Sequence, residues 1–215
     1  MNGILDLLQS EAGRSIVDGV SQSTGTDRSK TNDALTVALP VLMKAMERNA
    51  KNDPDQAQSL MNALSNKHDG SILDNLGSLF NGGVDEPVKN DGDKILGHIL
   101  GPKKQGVEQV IGQKAGLNTA QVANILKIAA PILMGMLGKK ARQNNVNSKG
   151  DLGGLLEGML GGNQTQREQG FLEKILDADG DGSALDDVAG MMLGGRNSRG
   201  SNPGGGGLLG GLFGR

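Results

Sequence analysis

The stretch that most limits what this chain can fold into runs from Gly116 to Leu137 and is apolar at nearly every position. Its apolar side chains recur at helical spacing, at Val122, Ile125, Leu126, Ala129, Ile132, Leu133, Met136 and Leu137. A helix that is apolar almost all round must be wrapped by other elements or cross a membrane. A membrane span needs about 20 apolar residues, and the uncharged run from Ile128 to Gly138 is about half that length. We therefore predict a buried core helix and no membrane span.

Position-specific signals mark the start and the middle of this helix. Asn118 or Thr119 is the expected N-cap, because side chains of both types accept a hydrogen bond from the first helical turn. Pro131 lies inside the apolar run, where it removes one backbone donor. The sequence therefore predicts a kink between Lys127 and Ala130.

A second copy of the pattern runs from Gly25 to Met46, with Pro40 aligned to Pro131 at an offset of 91 positions (131 − 40 = 91). At the same offset Gly25 aligns with Gly116, and the aliphatic triplet at 41–43 aligns with the triplet at 132–134. Neither apolar helix can bury itself alone. The two are expected to pack against each other or to occupy equivalent positions.

The fold class follows from these helices, because no stretch alternates convincingly with period two. We predict an all-α helical bundle from two related halves with kinked proline-containing core helices, plus a flexible glycine-rich C-terminal tail. The predicted boundaries are a helical domain at 1–145, with halves at about 1–80 and 91–145, a Gly/Leu/Asp-rich region of short helices at 146–195, and a disordered tail at 196–215. The 36 glycines and three phenylalanines allow an aliphatic core in only part of the chain.

Local signals divide the bundle further. Gly13 is expected to break the N-terminal helical segment, and Asp53 with Pro54 to begin a new helix. Residues 71–80 are expected to form one helix, residues 81–90 a link, and residues 91–100 another helix. Glycine in a helix interior costs about 1 kcal/mol, so a helix in the glycine-rich stretch at 150–162 is expected to be marginal.

Bulk composition excludes several classes of function. A net charge of −2 provides no overall field for nucleic acid, and the absence of cysteine excludes disulfides and fits a reducing compartment. The N-terminus lacks the basic and apolar regions of a signal peptide. His68 and His98 are the only histidines, neither has a helical-spacing partner, and a zinc site is not expected. No nucleophile-elbow or phosphate-loop pattern occurs, and His98 is expected to be a packing or hydrogen-bonded residue.

The sharpest chemical signal is the acidic stretch from Leu176 to Val188. Carboxylate oxygens around a glycine-enabled turn suit Ca²⁺, and the candidate ligands are Asp177, Asp179, Asp181, Ser183 and Asp187. The place that normally holds a bidentate glutamate is Val188. The alternative is a capped turn, because the segment Asp181 to Asp186 matches Asp69 to Asp74 at an offset of 112 and the shared residues are those of a cap.

Residues 108–127 also resemble a helix-turn-helix, with Gly116 at the turn. Its packing positions are Ile111, Leu117, Val122 and Ile125, and its polar face offers Asn118, Thr119, Gln121 and Asn124. That face carries no lysine or arginine, although phosphate contacts dominate affinity for DNA. The same spacing is also required merely to pack two helices, so nucleic-acid binding is the weaker alternative.

A family resemblance is carried by four segments: Asp69 to Asp74 (DGSILD), Gly92 to Gly101 (GDKILGHILG), Ala130 to Met134 (APILM) and Asp179 to Ser183 (DGDGS). Together they resemble the bacterial domain of unknown function 937 family and its YidB-like relatives, over roughly residues 1–195. The resemblance implies an all-helical cytoplasmic protein without an assigned activity, and it transfers no catalytic residue.

The predicted function is a non-enzymatic structural or protein-interaction module without a cofactor. A protein partner or self-association is expected. A calcium-binding helical protein is the first alternative, and a helix-turn-helix DNA-binding module is the second.

Overall fold

The computed structural model describes residues 3–161 and 166–177, and this part of the chain is helical without any strand. The prediction of an all-α bundle is confirmed. The helices are α1 (Ile4–Gln9), α2 (Glu11–Thr24), α3 (Arg28–Asn52), α4 (Pro54–Asn66), α5 (Ser71–Asp74), α6 (Leu76–Phe80), α7 (Glu86–Leu100), α8 (Lys104–Ala115), α9 (Thr119–Gln143), α10 (Lys149–Leu160) and α11 (Gln166–Asp177). A single 3₁₀ turn, Gly101–Lys103, joins α7 to α8.

Helices α3 and α9 form the centre of the molecule, and each is 25 residues long. Their first residues, their last residues and their internal prolines are each 91 positions apart, as the sequence repeat predicts. Each has a polar N-cap at the equivalent position, Asp27 for α3 and Asn118 for α9. The side chain of Asn118 accepts from the Gln121 amide while Gln121 returns the bond to the Asn118 amide, which satisfies two otherwise unpaired donors.

The repeat extends beyond the two central helices. Helices α1 and α7 end 91 positions apart, and so do α2 and α8. Gly25 and Gly116, which end α2 and α8, both adopt the left-handed conformation, with φ of 62° and 64°. Helix α2 packs on α9 as well as on α3, and α8 packs on α3 as well as on α9. Each half therefore completes the core of the other.

Pro131 creates a specific packing site on α9. A proline ring prevents the Lys127 carbonyl, four residues earlier, from accepting its usual helical hydrogen bond. Gly92 of α7 lies directly over that carbonyl, and a Cβ on Gly92 would be only 1.8 Å from the Lys127 oxygen. The absence of a side chain at Gly92 thus lets α7 pack closely on α9 at the proline.

Several local predictions need correction. The break near the N-terminus lies at Ser10, because the Ser10 side chain caps α2, whereas Gly13 lies inside α2 against the Leu7 and Leu8 carbonyls. The single helix predicted at 71–80 is divided at Asn75. Helix α7 begins at Glu86, within the predicted link, because Pro87 suits a first helical turn.

The glycine-rich stretch forms a complete helix, α10, despite the cost of its glycines. Ser148 and Asp151 form a capping box at its start. Leu152, Leu156 and Met159 are buried where α10 packs on α3 and α4. Tertiary burial therefore outweighs poor helix propensity. Helix α11 also packs on the body, through Leu172, Ile175 and Leu176, against α3 and α8.

By length and composition alone, α9 could cross a membrane. In the structure 72% of its most apolar window is buried, and α2, α3, α7 and α8 all pack on it. These contacts are those of a core helix, as the short uncharged run predicts. The predicted tail at 196–215 lies outside the described residues.

Candidate binding groove

A groove separates α4 from α7. Both helices lie on the same two central helices, α3 and α9, yet they make little direct contact with each other. The resulting cleft has a volume of about 590 Å³. Its floor is apolar and includes the buried side chains of Met46, Ile95 and Met134. We call this cleft, with its continuation described next, the α4–α7 groove.

A polar bridge crosses the groove and links it to a second hollow of about 400 Å³. The Lys67 ammonium at the end of α4 pairs with the Asp91 carboxylate of α7. The His68 Nε2 lies 3.7 Å from the other Asp91 oxygen. These three residues line both hollows, and the second one ends at Pro87 and Pro131.

His68 is almost fully buried within this bridge, with 8% of its surface exposed. Burial lowers the pKa of the His68 imidazole below its usual value, although Asp91 acts in the opposite direction and Lys67 adds to the lowering. The imidazole is therefore neutral at pH 7, and the Asp91 charge is balanced mainly by Lys67.

The α7 edge of the groove is polar and accessible. Lys94, Gly97 and His98 line the cleft and are exposed. They occupy one face of α7, because residues three and four positions apart are neighbours on a helix. His98 is thus a solvent-facing rim residue, and of the two roles expected for it, packing or hydrogen bonding, packing is not what the structure shows. Nearby, the Asn49 amide donates a 2.9 Å hydrogen bond to the Ile99 carbonyl and fixes the end of α7 on α3.

The short helix α5 closes the second hollow. Gly70, Ser71 and Ile72 line it, and a Cβ placed on Gly135 of α9 would be 2.4 Å from the Ile72 side chain. The Asp69 carboxylate accepts from the Ser71 amide at 3.1 Å and pairs with the Arg142 guanidinium at 3.3 Å. The DGSILD segment, singled out by its repetition, is therefore a turn held by the Asp69 carboxylate and anchored on α9, while the N-cap of α5 is Gly70 and has no side-chain cap hydrogen bond.

A second polar cluster joins α7, α8 and α9 and includes the buried Glu108. Asp93 accepts from Lys104 at 2.6 Å and lies 3.4 Å from the Lys127 ammonium. Within the described structure the Glu108 Oε1 atom is buried without a hydrogen-bond partner. Burial raises the pKa of the Glu108 carboxyl, while Lys104 and Lys127 oppose that rise and Asp93 supports it.

The predicted calcium loop lies beyond what the structure describes. Asp177 is the last residue of α11, and Asp179, Asp181, Ser183 and Asp187 follow it outside the described residues. Among residues 3–161 and 166–177, no group of three or more histidine or acidic side chains is placed to hold a metal ion. The calcium site stays a prediction.

The structure places the residues of the suggested helix-turn-helix at the junction of α8 and α9. Ile111, Val122 and Ile125 are fully buried, as packing positions should be. On the polar face, Asn118 and Gln121 bond to each other's backbone and form the cap of α9. The junction of α2 and α3 makes the same turn at Gly25. Helix packing accounts for the pattern, and DNA binding stays untested.

Sequence reasoning did not find the α4–α7 groove. Its floor and walls come from four helices that lie far apart in the chain, from Met46 on α3 to Met134 on α9. No local motif encodes such a juxtaposition.

The fold and the groove define an all-helical bundle with an internal repeat and a partly apolar surface cleft. The chain belongs to the family described as bacterial protein of unknown function, DUF937, which matches residues 6–140 and 152–215. The resemblance based on the DGSILD, GDKILGHILG, APILM and DGDGS segments is thereby confirmed. Comparisons with curated proteins and with solved structures gave no match.

Proposed function

We propose that this protein is a non-enzymatic protein-interaction module whose α4–α7 groove binds a helical segment of a partner protein. The observation that carries the proposal is the gap between two helices that share the same floor. In the groove, Met46, Ile95 and Met134 lie beneath an open cleft.

The dimensions of the groove suit a helix. The α7 residues that line the main cleft extend from Asp91 to Ile99, which corresponds to about 12 Å along a helix axis. A helix of about eight residues has that length. An amphipathic helix would place its apolar face on the groove floor, as in other helix-in-groove complexes. Methionine side chains are flexible and adapt to different apolar partners.

The lining supports binding more strongly than catalysis. The one carboxylate that lines it among the described residues, Asp91, is held by Lys67 and faces a neutral His68, so these groups form a structural bridge. Neither serine that lines the groove, Ser59 or Ser71, has a hydrogen bond to a histidine among the described residues. The cytoplasmic location expected from the family resemblance remains part of this proposal.

The test uses the full-length protein labelled with ¹⁵N and three synthetic 14-residue amphipathic peptides. All three carry leucine at helical spacing, and their other positions are glutamate, glutamine or lysine. We expect at least one peptide to shift the amide signals of Ser59, Ala63 and Gly97. Shifts confined to other surfaces, or no shifts with any peptide at millimolar concentration, would contradict the proposal.

Two matched variants distinguish the groove from the rest of α4. Ser59 lines the groove, whereas Ser65 is an exposed serine of the same helix outside it. Ser59→Arg should weaken binding of the best peptide about tenfold or more, because the new side chain occupies the cleft. Ser65→Arg should leave affinity unchanged. Equal effects of the two variants would show that the peptide does not bind in the groove.

A further inference from the structure

We propose that the segment bound by the α4–α7 groove is an acidic amphipathic helix that crosses α7 at Gly97 and places carboxylates beside Lys94 and His98. This inference rests on the proposed function and specifies the chemistry of the partner. It follows from two independent observations. One is the distribution of charge along the groove, and the other is the open space over Gly97 of α7.

The charge of the groove favours an anionic partner. Within the described part of the chain, Asp91 is the acid that lines it, and Asp91 already lies between Lys67 and His68. Lys94 on the outer edge has no ion pair within residues 3–161 and 166–177, and no other acid lines the cleft. The opposite wall offers the neutral groups of Gln56 and Ser59. Complementary charge would steer an acidic segment to this edge and repel a basic one.

Gly97 identifies where the partner helix crosses. Glycine inside a helix is less favourable than alanine by about 0.5–1 kcal/mol, and a close neighbour accounts for it at several positions of this bundle. At Gly92 of the same helix that neighbour is the Lys127 carbonyl, whereas no atom lies within 4 Å of a Cβ placed on Gly97. The space over Gly97 opens into the groove between Lys94 and His98. A partner helix can approach the α7 backbone most closely there.

The experiment measures fluorescence anisotropy of the three 14-residue peptides on the full-length protein, at concentrations where light scattering shows each peptide to be monomeric. We expect the glutamate peptide to bind at least about tenfold more tightly than the lysine peptide, with the glutamine peptide between them, and the difference to shrink at high salt. Equal affinities would overturn the acidic assignment while leaving the proposed function intact. Failure of all three peptides would remove the proposed function itself.

Charge reversal on the protein provides the matched control. Lys94→Glu should weaken binding of the glutamate peptide by about threefold to tenfold and strengthen binding of the lysine peptide. Lys30→Glu changes an exposed lysine outside the groove and should alter neither affinity. Equal responses to the two substitutions would mean that net charge, and not the groove edge, determines binding.

Two glycine variants test the crossing point. Gly97→Gln should reduce binding of the glutamate peptide about tenfold while the protein stays folded, because the new side chain enters the cleft. Gly154→Gln, at an exposed glycine of α10 with equally open surroundings, should leave binding unchanged. Unchanged binding in Gly97→Gln would overturn the crossing point. Displacement of the peptide by unlabelled protein, with dimers in light scattering, would instead identify a second copy as the occupant and overturn the assignment to a separate partner.

Discussion

At the scale of single residues, the internal repeat allows Glu108 to be compared with the residue at the equivalent position of the first half. The equivalent position in the first half is Val17, which is buried in the apolar core. The other members of the polar cluster have no charged counterparts either, since Asp93, Lys104 and Lys127 align with Asn2, Gly13 and Thr36. The cluster is therefore a feature of the second half alone, and the orphan oxygen of Glu108 is the part of it that costs stability.

Glu108→Val should stabilise the protein by about 1–3 kcal/mol at pH 7.5, because it removes a buried carboxylate that has one oxygen without a hydrogen-bond partner. Since the folded-state pKa of Glu108 is raised, the folded protein holds this proton more tightly than the unfolded chain. The wild type thus loses stability as pH rises from the unfolded value through the raised folded value. The gain from the substitution should be smallest near pH 4 and largest above the folded pKa.

Urea denaturation of both proteins between pH 4 and 8 measures this difference. Glu108→Gln is the control, because it keeps a polar amide of similar size but does not titrate. The difference in unfolding free energy between Glu108→Gln and Glu108→Val should not depend on pH. A Glu108→Val variant that is less stable than the wild type at every pH would show that the carboxylate has a stabilising partner.

At the scale of elements, α7 and α9 show how one proline determines the packing of a neighbouring helix. Pro131 leaves the Lys127 carbonyl without its helical donor, and Gly92 brings α7 onto that carbonyl. Helix α10 is a second example, since its capping box and buried Leu152 and Leu156 hold a glycine-rich segment in a helix. In both cases tertiary contact, and not intrinsic propensity, decides the local structure.

Two alanine substitutions in α7 should have opposite effects on stability. Gly92→Ala should destabilise the protein by about 2 kcal/mol or more, because its Cβ would lie 1.8 Å from the Lys127 oxygen and force α7 away from α9. Gly97→Ala should stabilise it by about 0.5–1 kcal/mol, because the same methyl group meets open space and alanine favours the helix. Thermal and urea unfolding of the two variants would check the signs, and equal shifts would contradict the packing described for Gly92.

At the scale of the whole molecule, each half packs on the central helix of the other, so the halves do not form separate units. Helix α2 of the first half covers α9, and α8 of the second half covers α3. The buried apolar residues of α1 to α11 belong to one continuous core. Neither central helix can be covered by its own half alone.

This exchange predicts cooperative unfolding of the bundle. Hydrogen exchange under mildly destabilising urea should show the amides of α3 and α9 opening together, with the same free energy and the same denaturant dependence. Amides at the start of α1 and in α11 serve as the internal control for local fraying. Opening of α2 and α3 at a lower free energy than α8 and α9 would show that the halves are independent.

The sequence by itself determined the helical class, the two proline-containing central helices and the caps of α4 and α9. These features depend on spacing within one segment, such as the periodic apolar residues around Pro40 and Pro131 and the polar caps at Asp53 and Asn118. The family resemblance was also recognisable from short contiguous segments.

Only the tertiary structure decided the α4–α7 groove, the close approach of Gly92 to Lys127, the burial of Glu108 and the exchange of contacts between halves. Each of these depends on which surfaces meet after the helices have formed, and residues far apart in the chain supply the partners. Helical spacing fixes the face of a helix on which a side chain lies. It does not determine what covers that face. Between α4 and α7 no helix of the described structure covers it, and an open groove results.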